Sequence, residues 1–153
     1  MATSRNVQYI GKDATGTRID DSDLSSRRQV ENFIAGAAIA AGDWVILDTT
    51  ATGSLRACTV IKAPASSVSA AVVGCALEAA TAAGDIIQVV VKGYHASATV
   101  NTSTASGNAL FCGGTAAGTA EPFSQATATV APCGVALADD TAGVAPVYVS
   151  GVF

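Results

Sequence analysis

The chain has 153 residues and a formal net charge of −4, and only 13% of its side chains are charged. That length holds one domain, or one domain with an arm, and buries a core without metal or disulfide staples. The acidic balance argues against nucleic acid, whose phosphates reward dense Lys and Arg, and the shortage of charge leaves a surface of Ser, Thr, Gly and Ala that suits a protein covered by neighbours.

Five of the eight basic residues, Arg5, Lys12, Arg18, Arg27 and Arg28, precede residue 30. Asp13, Asp20, Asp21 and Asp23 lie among them, so this part is charge-mixed and no polybasic tail. Residues 1 to about 22 read as an extended arm. Val7, Tyr9 and Ile10 form an apolar patch there that cannot bury itself alone. Asp21, Ser22 and Asp23 then offer an N-cap to a short helix over Leu24 to Ile34, with Leu24, Val30, Phe33 and Ile34 loosely on one face. No apolar h-region follows the start, and the stretch from Phe33 to Ala41 is too short and Gly-interrupted to span a bilayer, so synthesis in the cytosol and no membrane are expected.

From Ala40 onwards short runs rich in β-branched residues alternate with Gly, Pro, Ser, Thr and Asp. The expected strands are Trp44 to Leu47, Ala57 to Ile61, Ser69 to Leu77, Ile86 to Val91, Tyr94 to Val100, Ala109 to Cys112, Gln125 to Val130, Cys133 to Leu137 and Val144 to Val149. Pro146 lacks a ladder donor, so its strand belongs at an edge or a bulge. The run Ala79 to Ala83 reads as a turn. The predicted class is all-β, a barrel or sandwich behind an arm and one short helix.

The core also repeats itself. Gly74-Cys75-Ala76-Leu77, Thr81-Ala82-Ala83-Gly84 and Val89-Val90-Val91-Lys92-Gly93 return as Gly134-Val135-Ala136-Leu137, Thr141-Ala142-Gly143 and Val147-Tyr148-Val149-Ser150-Gly151. Upstream, Ala41-Gly42-Asp43-Trp44-Val45 matches Ser106-Gly107-Asn108-Ala109-Leu110. A long repeat present twice predicts a duplicated β-module. The expected organisation is arm and helix at 1–34 and a core at 35–153, with halves near 35–100 and 101–153. The first half is five residues longer between Gly42 and Gly74 than the second between Gly107 and Gly134, and Ala63 to Ser67 is the expected place for the surplus.

Reactive groups are few. His95 is the single histidine, and no G-x-S-x-G or cysteine-nucleophile pattern accompanies it, so it reads as an exposed or hydrogen-bonded strand residue. Asp139-Asp140 resembles a paired-carboxylate site but occupies a turn position, where Asp is ordinary. Gly113-Gly114 and Gly118 lack the Lys-Ser/Thr and helix of a phosphate loop. Trp44 and Tyr94 read as the largest core pieces rather than a ligand face. Cys58, Cys75, Cys112 and Cys133 are widely spaced in apolar settings and read as reduced and mostly buried, with no metal or other cofactor expected.

The set Phe33-Ile34-Ala35-Gly36, Ala41-Gly42-Asp43-Trp44-Val45, Val73-Gly74-Cys75-Ala76-Leu77, Ala82-Ala83-Gly84 and Val91-Lys92-Gly93-Tyr94, echoed by Gly134-Val135-Ala136-Leu137 and Val149-Ser150-Gly151-Val152-Phe153, resembles tailed-phage capsid cement (head-decoration) proteins over residues 33 to 153. The resemblance implies a small β-rich module that docks on the outer capsid surface, often as a homotrimer, and reinforces the shell. The arm and helix depart from the simplest members. The expectation is therefore a non-enzymatic virion protein that binds the major capsid protein and neighbouring copies of itself. Arg5, Val7, Tyr9, Ile10, Arg18, Arg27 and Arg28 are the expected capsid contacts. A carbohydrate- or surface-binding module of a virion fibre is the alternative, which an exposed aromatic platform would favour.

Overall fold

The computed structural model describes residues 28–65, 72–113, 115–123 and 131–151. Five strands close into a barrel. β1 (Gln29–Ala35) pairs with β3 (Thr59–Lys62), then come β2 (Trp44–Leu47), β4 (Val72–Ala76) and β5 (Ile86–Thr99), which returns to β1. β1 and β3 run parallel, and the other pairs are antiparallel. β5 is long enough to serve twice. Its second half pairs with β9 (Val144–Ser150), and the sheet continues through β8 (Gly134–Ala136), β6 (Ala109–Cys112) and β7 (Ala120–Pro122). β7 comes back to the end of β5 at one parallel bridge, Val100 to Ala120. Gly93, at φ +106°, lies where β5 passes from one set of partners to the other, a backbone turn that glycine permits.

The two modules match register for register. Trp44 faces Cys75 as Ala109 faces Val135, and Val45 faces Lys62 as Leu110 faces Pro122. Cys75 faces Val90 as Val135 faces Tyr148, and Phe33 faces Ile87 as Ala98 faces Ala145. The parallel contact of Ala35 with Val60 returns as Val100 with Ala120. The turns agree as well. Gly42 N–H donates to Ala76 O and Gly107 N–H to Ala136 O, both at 2.8 Å. Asp43 Oδ2 accepts from Ala40 N–H and Asn108 Oδ1 from Ala105 N–H, again at 2.8 Å.

Alternation along each strand sends one set of side chains inward. Phe33, Ile39, Val45, Val60 and Ile87 fill the first module. Their equivalents in the second are Ala98, Thr104, Leu110, Ala120 and Ala145, mostly smaller. Trp44, Ile46, Cys75 and Val90 project from the outer wall of the first module into the core cluster of the second. The cores are thus unequal, and the first module supplies much of the second one's volume.

Several expectations are corrected. Residues 29–34 form barrel strand β1, not part of a helix and not part of an arm, because β5 and β3 offer them two ladders and Phe33 and Ala35 turn inward together. The surplus residues lie between β2 and β3, where Gly53–Ala57 make a 3-10 turn, and not at Ala63 to Ser67. The stretches Ile86 to Val91 and Tyr94 to Val100 belong essentially to one continuous strand, and β7 is an additional one. β9 is internal rather than at an edge, and the irregularity opposite Pro146 sits in β5 between His95 and Ala98. The cysteines are free and mostly buried as expected, Cys75, Cys112 and Cys133 inside and Cys58 exposed. The expected strand Gln125 to Val130 and the helix residues before Arg28 lie outside the described residues.

Candidate interaction surfaces

The joint between the modules is a wedge. In the first module Ile34 N–H donates to Cys58 O at 2.8 Å and closes the seam between β1 and β3. The equivalent groups in the second module are Thr99 N–H and Gly118 O, and both bond to the first module instead. Thr99 N–H donates to Gly42 O at 2.8 Å, and Gly118 O accepts from Trp44 N–H at 2.9 Å. Residues Gly42 to Trp44 therefore occupy the seam of the second module.

The Trp44 side chain follows its backbone. It is fully buried, its Nε1–H donates to Thr99 O at 3.1 Å, and a Cβ added at Gly134 would lie 3.1 Å from its Cη2. An indole buried with its N–H paired is the arrangement that lets Trp contribute its whole apolar area. Beside it Asp43, 5% exposed, holds Lys62 Nζ at 2.8 Å. Gly118 must be small there, because a Cβ would come within 2.7 Å of Asp43 Oδ1. The burial of Trp44 was expected but its place in the second module's seam was not, although the replacement of Asp43-Trp44 by Asn108-Ala109 in the repeat was a signal.

His95 belongs to the same joint. Its Nδ1 accepts from Ser97 N–H at 3.1 Å, so Nε2 carries the proton and donates to Ala76 O at 3.1 Å. Burial pushes its pKa below the usual 6.5; the bond to Ala76 opposes this, and the Arg28 charge adds to the depression. It is a neutral hydrogen-bonded strand residue, one of the two forms expected. Asp140 serves its own turn, and Asp139 ties that turn to the loop before β6. Asp139 accepts from Ser106 N–H at 2.8 Å and Asp140 from Gly143 N–H at 3.1 Å. Cys112 and Cys133 lie 3.4 Å apart at sulfur inside the second module, and burial raises the Cys112 thiol far above its ordinary range.

Among the described residues, two surfaces remain open. On the second module, Tyr94, Tyr148, Val135 and Ala109 form one row across β5, β9, β8 and β6. Tyr94 and Val135 are exposed, and Leu137 beside them is 48% exposed. Trp44 is core as expected, but Tyr94 is not. On the first module, Phe33, Leu47, Val73 and Val91 line an apolar cleft of about 350 Å³ rimmed by Gln29 and Glu31. Of the expected capsid contacts, Arg28 is exposed next to β1 and lines a smaller cleft with His95 and Leu77. Arg5, Val7, Tyr9, Ile10, Arg18 and Arg27 lie outside the described residues. No helix among the described residues is long and apolar enough to cross a membrane. No protein-family model matches the chain, and no curated protein matches it.

Proposed function

We propose that this is a non-enzymatic structural protein of a virion that decorates the outer capsid surface by binding the major capsid protein. The observation that carries the reading is a two-module β-body whose described residues leave apolar surface open at two places, such as assembling proteins keep for their partners. The most conspicuous polar groups, His95, Asp139 and Asp140, are taken up by the joint and the turns. The attachment element is the segment before β1, with Arg5, Val7, Tyr9, Ile10, Arg18, Arg27 and Arg28. It enters the body at Gln29, whose partner Lys92 lies at the middle of β5. An extended segment gains main-chain hydrogen bonds by adding to a neighbour's sheet, and its arginines suit carboxylates.

Co-sedimentation with undecorated capsids tests this. The full chain is expected to pellet with shells, and a form lacking residues 1–22 to lose that binding while keeping its thermal transition. Full-strength binding by the truncated form would move the attachment to the β-body. A second reading, a carbohydrate-binding module of a virion fibre, is favoured by the exposed Tyr94 paired with Tyr148. A glycan array, with Tyr94→Ala as control, separates the two.

A further inference from the structure

The two open surfaces are the two halves of the joint already made inside the chain. One half of that joint is the outer row Val30, Val90, Cys75 and Trp44 of the first module, in which Val90, Cys75 and Trp44 are completely buried. The register-equivalent row of the second module is Tyr94, Tyr148, Val135 and Ala109, the one left open. Leu77, packed against the joint, corresponds to Leu137, which is exposed. The other half is the mouth of the second module, where His95, Ala98, Cys112, Cys133 and Val149 are all buried. Its equivalents in the first module are Glu31, Phe33, Leu47, Val73 and Val91; Phe33, Val73 and Val91 are largely buried too, but the five line a cleft of about 350 Å³ that no described residue fills.

We infer that a second copy of this chain covers these surfaces, the outer row of one copy's second module seating against the cleft in the next copy's first module. The volumes support this occupant. In the internal joint a large Trp44 shares one core cluster with small Ala98 and Cys112. In the joint between copies a small Ala109 meets large Phe33 and Leu47, so bulk has changed sides while the pairing is conserved. Asp43 and Lys62 are replaced on the second module by Asn108 and Pro122, which need no ion pair on burial, while Glu31 at the cleft rim has to keep its carboxylate in water. A head-to-tail contact of this kind closes into a ring where the rotation per copy allows and extends as a filament otherwise. It needs no capsid, and it stands or falls separately from the decoration reading.

Engineered cysteines test the geometry on the whole chain. His95 Nε2 reaches Ala76 O in the internal joint, and His95 shares a cleft with Leu77, so Glu31 of one copy should lie near Leu137 of the next. With Cys58→Ser as background, a mixture of Glu31→Cys and Leu137→Cys proteins is expected to form a mixed disulfide under mild oxidation, while neither protein cross-links alone. Sedimentation velocity of the unmodified chain should show concentration-dependent association, weakened about tenfold or more by Val135→Asp, which would bury a charge in the contact. Circular dichroism establishes that each variant is folded. A chain monomeric at every concentration with no mixed cross-link overturns the inference. So does cross-linking of Leu137→Cys with itself, which would mean face-to-face pairing.

Discussion

The first module closes its own seam and fills its own interior, whereas the second closes its seam only at Val100 and Ala120 and borrows to complete both. Ile34 and Cys58 bond each other across the seam, but Thr99 and Gly118 bond Gly42 and Trp44. Phe33 and Ile87 lie side by side on adjacent strands and fill the first interior, where the second has Ala98 and Ala145. The same strand registers thus give one self-sufficient unit and one dependent unit. The difference rests on a handful of side-chain sizes, because packing density has to be met from somewhere.

Removing the borrowed side chain is the strongest way to break that comparison. Trp44→Ala should cost about 3–5 kcal/mol, measured by denaturant unfolding, since it deletes a fully buried indole and its bond to Thr99 O. The matching change Ala109→Trp, on the open face, should leave the stability of the monomer within about 0.5 kcal/mol. Asp43→Asn keeps the acceptor that Asn108 provides in the repeat and removes only the charge pair with Lys62. A loss of about 1–2 kcal/mol is expected by the same measurement. Thr104 stands where Ile39 stands in the first module, and its buried hydroxyl has no partner among the described residues. Thr104→Val should therefore raise stability by about 1 kcal/mol. The smallest effect concerns pH. His95 titrates lower in the folded chain than its ordinary 6.5, so the unfolded chain takes up the proton first as pH falls. Stability should be complete above pH 6.5, decline below it, and level off once the folded form protonates as well. His95→Gln should flatten that decline in thermal melts across the same window.

The repeat was readable because its signature residues sit at paired positions. Gly74 and Gly134 face Val45 and Leu110, and glycines at Gly42 and Gly107 start the equivalent turns. The all-β class followed from the β-branched runs. β1 was misread because Val30, Phe33 and Ile34 also fit a helical face, and the partners that make them a strand lie more than twenty residues away. The surplus was misplaced because Ala63-Pro64 looks more like an insertion than the run before Thr59, and only the pairing of Leu47 with Val60 shows otherwise. The joint was illegible for a different reason. It depends on which large residue opposes which small one across two modules, and no periodicity along the chain records that.

The shared strand and the wedge also set an order of events during synthesis. All five strands of the first barrel have been made once residue 99 is available, but the second-module residues that cover the wall carrying Trp44, Cys75 and Val90 are then still missing. About fifty more residues must emerge before β9 completes the cover, a few seconds at ordinary elongation rates. For that interval the nascent chain presents a bare apolar wall while its neighbours on the same messenger present theirs. The step most exposed to misassembly therefore falls within translation, before the chain itself is complete.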